Sequence, residues 1–552
     1  MNPGSSVASA KMKRSPIPVH PLLVAISPIL TLLAANLNEI YFSDAWRSLA
    51  VASLVSILLL CILRLVFKDW QRAAILTSLL LILFFSYGHL YTAIKSKSIL
   101  GFVIGRHRYL LILWMFLASA GTCLIWRGFG KNSRVTVALN WIAAASLILP
   151  IFTIGNHLIQ PRTTDVTQSP ISEGVSDGNT LHPSMPTRDI YYIIPDAYAR
   201  NDVLDERYGY DNAEFISFLQ DHDFYVAEKS TSNYLLTMLS LSSSLNLNYL
   251  SDLGIDTSQG FDAAVFSDLI KNSFVRETLE GMGYQTIGVP TGYVVTELYD
   301  ADLFLTPDIS KLDELKIKNA ISSFESMLLF NSGIRILLDW QDPTSSILAE
   351  RLQEPFRVQR EYTLSAFDHL ETIPTIDGPK FVFIHIISPH RPYLFGPNGE
   401  ENQETEPFSF AEIDENVNDE DAPKYLGQLT FITSKIEQAI TSILEQSETA
   451  PIIILQSDHG PGLGVDWDEP SPASLADRRS ILNAYYFPDG CDALLYNEIT
   501  PVNSFRVLFN CYFNGSFEML AEETYLHVSE GDKYKTPVQF IPVSNLVDGD
   551  SQ

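Results

Sequence analysis

The sequence predicts a chain in two parts: an α-helical membrane bundle of five transmembrane helices, followed by an α/β domain with a mostly parallel, doubly wound sheet. Three observations predict it. Long apolar segments crowd the amino-terminal part, short uniformly apolar runs alternate with amphipathic ones from Arg188 onward, and the charge changes sign between the two. Residues 1–160 carry 14 Lys and Arg against 3 Asp and Glu, a net +11, whereas the remainder carries 23 against 62, a net −39. A chain of 552 residues, 46% hydrophobic and 18% charged, is too long for one ordinary domain and too apolar for a disordered or purely soluble protein. The acidic half has no basic stripe, which excludes nucleic acid as the partner, because phosphate neutralisation needs clustered Lys and Arg.

The five apolar runs are Pro21–Asn38, Ser48–Phe67, Ala73–Ile94, Tyr109–Trp126 and Val135–Gly155. Each is close to the ~20 residues that cross a bilayer core as a helix. A cleaved signal peptide would explain the first alone, and five in succession exclude a soluble core. Lys11, Lys13, Arg14, Arg64, Lys68, Arg72, Arg127, Lys131 and Arg134 fall on the amino-terminal side of the bundle, against Arg47, Lys95, Lys97, Arg106 and Arg108 on the other. This bias places the amino terminus in the cytoplasm, and an odd number of spans then puts everything after Gly155 outside. Arg64 lies near a span end, where it can snorkel. His89 is the one central ionisable group and reads as a histidine bonded between helices, so the bundle reads as an anchor and not as a pump or channel.

Residues 156–187 are rich in Pro, Ser, Thr and Gly and read as a linker between an anchor at 1–155 and a soluble domain at 188–552. Glu400–Asp421 reads as an acidic loop. In the soluble half, Ile190–Ile194, Tyr284–Val289, Lys380–Ile387 and Pro451–Ser457 are strands without polar alternation. Helical spacing covers Asn212–Gln220, Phe261–Gly281 and Lys424–Glu445. Apolar strands separated by helices predict a parallel sheet covered on both faces. Of the four cysteines, Cys61 and Cys123 lie in apolar runs, while Cys491 and Cys511 share the soluble half and could pair.

Chemistry in such a sheet gathers beyond the carboxyl ends of its strands. Three strands end on a charged or imidazole group: Asp196 after IYYIIP, His390 after FVFIHIISP, and Asp458-His459 after IIILQS. Alone, Asp196 would read as a turn or cap residue. The adjacent acid and imidazole of Asp458-His459, followed by Gly460 and Gly462, suit a cation with oxygen and nitrogen ligands. A further segment, Ser232–Tyr249, is dense in hydroxyls. A hydroxyl opening a helix sits among free N–H groups, and a neighbouring metal would make it a nucleophile; residue type alone leaves Thr237 and Ser240 equal candidates. His385, on an apolar strand, reads as a core histidine, and Arg478 and Arg479 read equally as anion contacts or surface residues.

At these residues the chain resembles the alkaline phosphatase superfamily, in its membrane-bound, sulfatase-like transferase branch of lipoteichoic acid synthases and phosphoethanolamine transferases. Asp196 in YYIIPDAY matches the family's metal-binding acid, and Thr237-Met238-Leu239-Ser240 its nucleophilic threonine with a serine three residues on. Ser457-Asp458-His459-Gly460 matches its S-D-H-G motif, and Pro389-His390-Arg391-Pro392 its P-H-x-P element. The resemblance implies an alkaline phosphatase/sulfatase-like fold and metal ligation by Asp196, Thr237, Asp458 and His459. It also implies Thr237 and His390 as catalytic residues, and His390 and Arg391 as contacts to the transferred group. Three features depart from the family. No formylglycine-type sequence surrounds Thr237, which disfavours sulfate ester hydrolysis; Ala197 stands where two-metal relatives often carry a second carboxylate; and the many cysteines of typical phosphoethanolamine transferases are absent, which disfavours that particular headgroup.

The expected activity is transfer of a phospho-headgroup from a membrane phospholipid to a glycan or lipid acceptor, through a phosphothreonine. The expected cofactor is one divalent metal ion, Mn²⁺ or Mg²⁺ ahead of Zn²⁺. A phosphodiesterase or other hydrolase on the same site is the alternative, and a non-enzymatic membrane assembly or sensing protein a second one.

Overall fold

The computed structural model describes residues 16–37, 40, 42–95, 97–99, 102–103, 105–129, 133–159, 181–183, 186–258, 260–308, 321–340, 347–403, 408, 419–467, 469–530 and 536–547. The linker at 156–187 and the acidic loop Glu400–Asp421 fall largely outside these residues, as do Lys11, Lys13, Arg14 and Lys131. Two compact units are present, one formed by Met1–Gln160 with Ile321–Leu352, the other by Pro161–Ala320 with Gln353–Gln552.

The first unit contains α1 (His20–Ala35), α2 (Ala45–Phe67), α3 (Trp70–Ile94), a small antiparallel pair β1 (Ser98–Ile99) and β2 (Phe102–Val103), α4 (His107–Trp126), α5 (Ser133–Ala145) and α6 (Ile148–Ile159). Among the described residues, four stretches are long and apolar enough to cross a membrane: Phe42–Phe67, Trp70–Ile94, His107–Trp126 and Ser133–Asn156, with α1 a shorter apolar helix. Five apolar helical segments therefore stand where expected, and the chain is a membrane protein. The fifth is broken between α5 and α6, because Pro150 has no N–H to give to the Ser146 carbonyl and its ring crowds that turn. At 16 residues, α1 extends only ~24 Å. Its first amides find a partner inside the bundle: Asn140 Oδ1 accepts from Val19 N (3.1 Å) and His20 N (3.0 Å), and its Nδ2 donates to the Ile17 carbonyl (2.9 Å). In hydrocarbon no water could do this.

Residues 321–352 join this unit through specific contacts that the sequence did not suggest. The helix Ser323–Phe330 opens with a capping box of Ser322 and Glu325, and Glu325 also pairs with Arg47. His107 Nε2 lies 2.8 Å from Asp339, and Gly333 N donates to the Phe84 carbonyl at 2.7 Å. A Cβ on Gly88 of α3 would stand 2.2 Å from the Phe330 carbonyl oxygen, so only glycine permits this approach.

The second unit is an α/β domain. Its elements are β3 (Ile190–Pro195), α7 (Asn201–Tyr208), α8 (Ala213–Asp221), β4 (Tyr225–Val226), α9 (Thr237–Leu245), α10 (Ala263–Lys271), α11 (Phe274–Gly281), β5 (Gln285–Gly288), β6 (Leu303–Phe304), β7 (Lys380–Ile386), β8 (Ile452–Gln456) and β9 (Asn483–Tyr486). Unlabelled helices at Glu354–Thr372, Ala422–Gln446, Pro472–Arg479 and Pro501–Tyr512 lie between and after them. The seven-stranded sheet has the order β4-β9-β8-β3-β7-β5-β6. From β8 to β6 every pairing is parallel, while β9 runs antiparallel to β8 and to β4. Every residue of β3, β7 and β8 is buried, as both faces are covered. Phe261–Gly281, expected as one helix, is two: the Ser273 hydroxyl accepts from Arg276 N and starts α11 afresh. A separate antiparallel pair, β10 (Tyr525–Ser529) and β11 (Val538–Pro542), precedes a last short helix at Ser544–Val547. Cys491 and Cys511 form a disulfide, with Cα atoms 6.0 Å apart.

Candidate metal centre and active site

Register aligns the strand ends. Within the ladder of β3 with β7, Pro195 stands opposite Ile386, and in that with β8, Ile193 stands opposite Leu455. The residues just beyond β3, β7 and β8 therefore emerge side by side, and these are Asp196, the Ser388–His390 turn and Asp458-His459. Ala197 has a φ of 64°, a left-handed conformation uncommon for a residue with a Cβ, and its N–H points to Asp458 Oδ1 at 3.3 Å. The His390 N–H donates to the Asp196 carbonyl at 3.0 Å, which ties the second strand end to the first.

Asp196, Asp458 and His459 are buried, and one ligand atom from each lies within 4.8 Å of the others. His459 is the hub. Its Nδ1 donates to the Gly460 carbonyl at 3.0 Å, which leaves the lone pair on Nε2. Around Nε2 stand Thr237 Oγ1 at 3.2 Å, Asp458 Oδ2 at 3.4 Å and Asp196 Oδ1 at 3.6 Å. Asp458 Oδ2 is buried and without a hydrogen-bond partner among the described residues. Two carboxylates and an imidazole lone pair converging out of water repel one another; the Arg478 guanidinium, with Nη2 3.0 Å from Nε2, offsets part of this, and a cation between the three donors would offset the rest. Burial, and then Asp196, pushes the Asp458 carboxyl up to about 7. Burial pushes the His459 imidazole well below its ordinary range. The donor set fits one divalent ion held by Asp196, Asp458, His459 and the Thr237 oxygen.

Thr237 is the first residue of α9, where the opening N–H groups have no helical partner. Its hydroxyl lies 3.2 Å from His459 Nε2. Ser240, one turn on, donates instead to the Asp458 carbonyl at 2.7 Å, which fixes the loop carrying the ligands. Ser457 does the same from the other side, accepting from Tyr198 N and donating to the His459 carbonyl. Gly460 lets the loop close, since a Cβ there would stand 2.1 Å from the Asp477 carbonyl oxygen. Gly460→Ala is expected to cost about 2–3 kcal/mol or more, read as a lowered denaturant midpoint of the detergent-purified protein.

His390 is 7% exposed, with its ring centroid 5.9 Å from that of His459. Its Nδ1 donates to the Arg391 carbonyl at 2.6 Å, and its own carbonyl accepts from Gln428. Burial first, then the Arg478 guanidinium, lowers its pKa to about 3. Arg391 is half-buried, and its charge also acts on His390.

Two further residues belong to this cluster. His385 is buried, as a core histidine would be, yet its Nε2 lies 3.4 Å from Asp196 Oδ2 and its Nδ1 3.0 Å from Thr296 Oγ1. Arg478 is 2% exposed, and its Nη2 lies 3.0 Å from His459 Nε2, while its Nε and Nη1 donate to the carbonyls of Leu235, Gly460 and Pro461. It is an interior cation facing the site. The Arg479 backbone carbonyl accepts from Ser232 N.

Beyond His385 and Thr296 lies Glu297, buried, with Oε1 accepting from the N–H groups of Thr291 and Gly292. Burial pushes its carboxyl up to about 7. A carboxyl raised in the folded state favours folding below its unfolded value of 4.5, and that contribution is lost as pH rises to about 7. Glu297→Gln, which keeps the accepting oxygen, is expected to raise the melting temperature at pH 8, by up to about 3 kcal/mol in stability, and to leave it nearly unchanged at pH 4.5.

No family model and no curated protein matches the sequence. Among solved structures the chain is similar to the C-terminal periplasmic domain of EptC from Escherichia coli in complex with zinc, at 11% identity over 67% of this chain and 97% of that one, with a TM-score of 0.40. It is also similar to the integral membrane protein lipooligosaccharide phosphoethanolamine transferase A from Neisseria meningitidis, at 12% identity over 88% and 94%, TM-score 0.34. A third is the phosphonate monoester hydrolase of Agrobacterium radiobacter, at 12% over 62% and 81%, TM-score 0.36. Likeness of this size carries no mechanism, which has to come from the site itself.

Proposed function

We propose that the protein is a metal-dependent transferase that moves a phospho-headgroup from a membrane phospholipid to a glycan or lipid alcohol. The observation that carries this is the position of Thr237 Oγ1 on the first turn of α9, 3.2 Å from His459 Nε2 and beside two buried carboxylates. When bound by Asp196, Asp458, His459 and Thr237, a divalent ion supplies Lewis-acid stabilisation and lowers the hydroxyl's pKa; Mn²⁺ or Mg²⁺ suits the carboxylates, and Zn²⁺ the imidazole.

Thr237, deprotonated to solvent before attack as a bound ion would favour, attacks as the alkoxide on the phosphorus of the headgroup phosphodiester, forming a phosphothreonine as the bond to the diacylglycerol oxygen breaks, and it leaves again as the alkoxide in the second step. His390, protonated once the anionic substrate offsets the charge of Arg478 and Arg391, delivers a proton to the departing oxygen. Arg478 and Arg391 steady the negative charge on the phosphoryl oxygens, together with the free N–H groups of α9. A second alcohol, deprotonated by the now neutral His390, then displaces Thr237.

Orientation of the α/β domain outside the cytoplasm is part of the proposal. The odd number of apolar segments and the cation bias support it, as does the Cys491–Cys511 disulfide, since such bonds persist in oxidising compartments. The competence of every position around His459 speaks against a non-enzymatic assembly or sensing role. The test is peptide mass spectrometry after exposure to a headgroup-labelled phospholipid. Headgroup phosphate on Thr237 is the expected result, and modification of Ser240 instead would overturn the assignment. Label released only into water identifies a phosphodiesterase on the same site.

A further inference from the structure

Within the membrane unit, a cavity of about 400 Å³ lies between α1, α3 and the α5–α6 pair, with Leu81, Phe85 and Leu139 on its apolar wall. That volume is in the range of sites that take a small molecule or a single chain. Polar groups also face it, among them His20, Ser78 and Ser146. His20 is 1% exposed, and its Nδ1 is 2.7 Å from Ser78 Oγ. With the Ser78 hydroxyl donating, the ring proton sits on Nε2, which has no partner among the described residues. Inside hydrocarbon, unmatched polar groups carry a large penalty unless something polar meets them. Among the described residues no Lys or Arg lines the cavity, whose only ionisable groups are His20 and His89, so an anionic group has no fixed counter-charge there.

We propose that this cavity binds one glycerolipid from the surrounding leaflet, with an acyl chain along Leu81, Phe85 and Leu139 and an ester carbonyl accepting from His20 Nε2. An ester carbonyl is uncharged, accepts without donating and belongs to the hydrocarbon boundary, where the amino-terminal end of α1 begins. The site is independent of the catalytic centre and holds whether or not that centre turns over.

The full-length protein in phosphatidylcholine nanodiscs, doped with a phospholipid carrying a diazirine in its acyl chain, is photolysed and mapped by peptide mass spectrometry. Labelling is expected to concentrate on Leu81, Phe85 and Leu139 over Leu54 and Leu58 of α2, which are 57% and 52% exposed. His20→Leu is expected to lower the cavity labelling roughly fivefold while labelling of α2 stays the same. Ala143→Phe, which fills the cavity from α5, is expected to abolish it, and Ser146→Leu is the milder filling variant should that protein fail to fold. Labelling of α2 equal to that of the cavity residues would show annular contact only and overturn the proposal. Cavity labelling unchanged by His20→Leu, or by a folded filling variant, would overturn it as well.

Discussion

Thr237→Ala is expected to lower headgroup release from a labelled phospholipid by on the order of 10⁴-fold or more, with little change in melting temperature. The size follows from the absence of a substitute. Ser240, the nearest alternative hydroxyl on α9, already donates to the Asp458 carbonyl and is held there. Thr237→Ser retains the oxygen and is expected to keep activity within about tenfold, so the pair separates loss of the nucleophile from loss of packing. Thr237→Ala activity within tenfold of the parent protein would remove Thr237 from the mechanism.

The second large effect concerns the ion. A divalent cation at a hundred times its dissociation constant is expected to stabilise the protein by about 2.7 kcal/mol through linkage. The stabilisation should grow with pH. Without metal, the Asp458 carboxyl is raised from 3.8 to about 7, so its contribution to folding is present below its unfolded value and lost as pH rises through about 7. Metal binding needs the carboxylate and so has the opposite dependence. Asp458→Asn is expected to stabilise the chelator-treated protein at pH 8, because a buried charge facing Asp196 is gone, and to abolish the metal-induced shift. Melting curves with chelator, Mn²⁺ or Zn²⁺ at pH 5 and pH 8 measure both, and a variant that still gains the full shift would place the ion elsewhere.

The strand ends were legible because β3, β7 and β8 are buried on both faces and read as unbroken apolar runs, so the first polar residue after each marks where the sheet stops. That same uniformity hid His385. On a strand covered from both sides, alternation carries no sign of which face a residue takes, and only the pairing of β3 with β7, which sets Ile194 opposite His385, brings it to Asp196. Arg478 was hidden for a different reason. It reaches His459 from the helix before β9, a four-residue antiparallel strand too short to stand out as a pattern. Thr237 and Ser240 could not be told apart by composition, since the difference lies in which turn of α9 faces the ligands. Most opaque was the segment 321–352, whose assignment to the membrane unit depends on ion pairs such as Arg47–Glu325, joined across 278 residues.

That assignment bears on how a water-soluble form of the sheet domain should be cut. Removing the spans alone would strip Phe324, fully shielded in the intact chain, and Phe330 of the helices they rest on, and would leave greasy, unpaired surface on the product. Excising 321–352 together with the spans, and bridging the gap with a short flexible linker, should yield the better-behaved fragment.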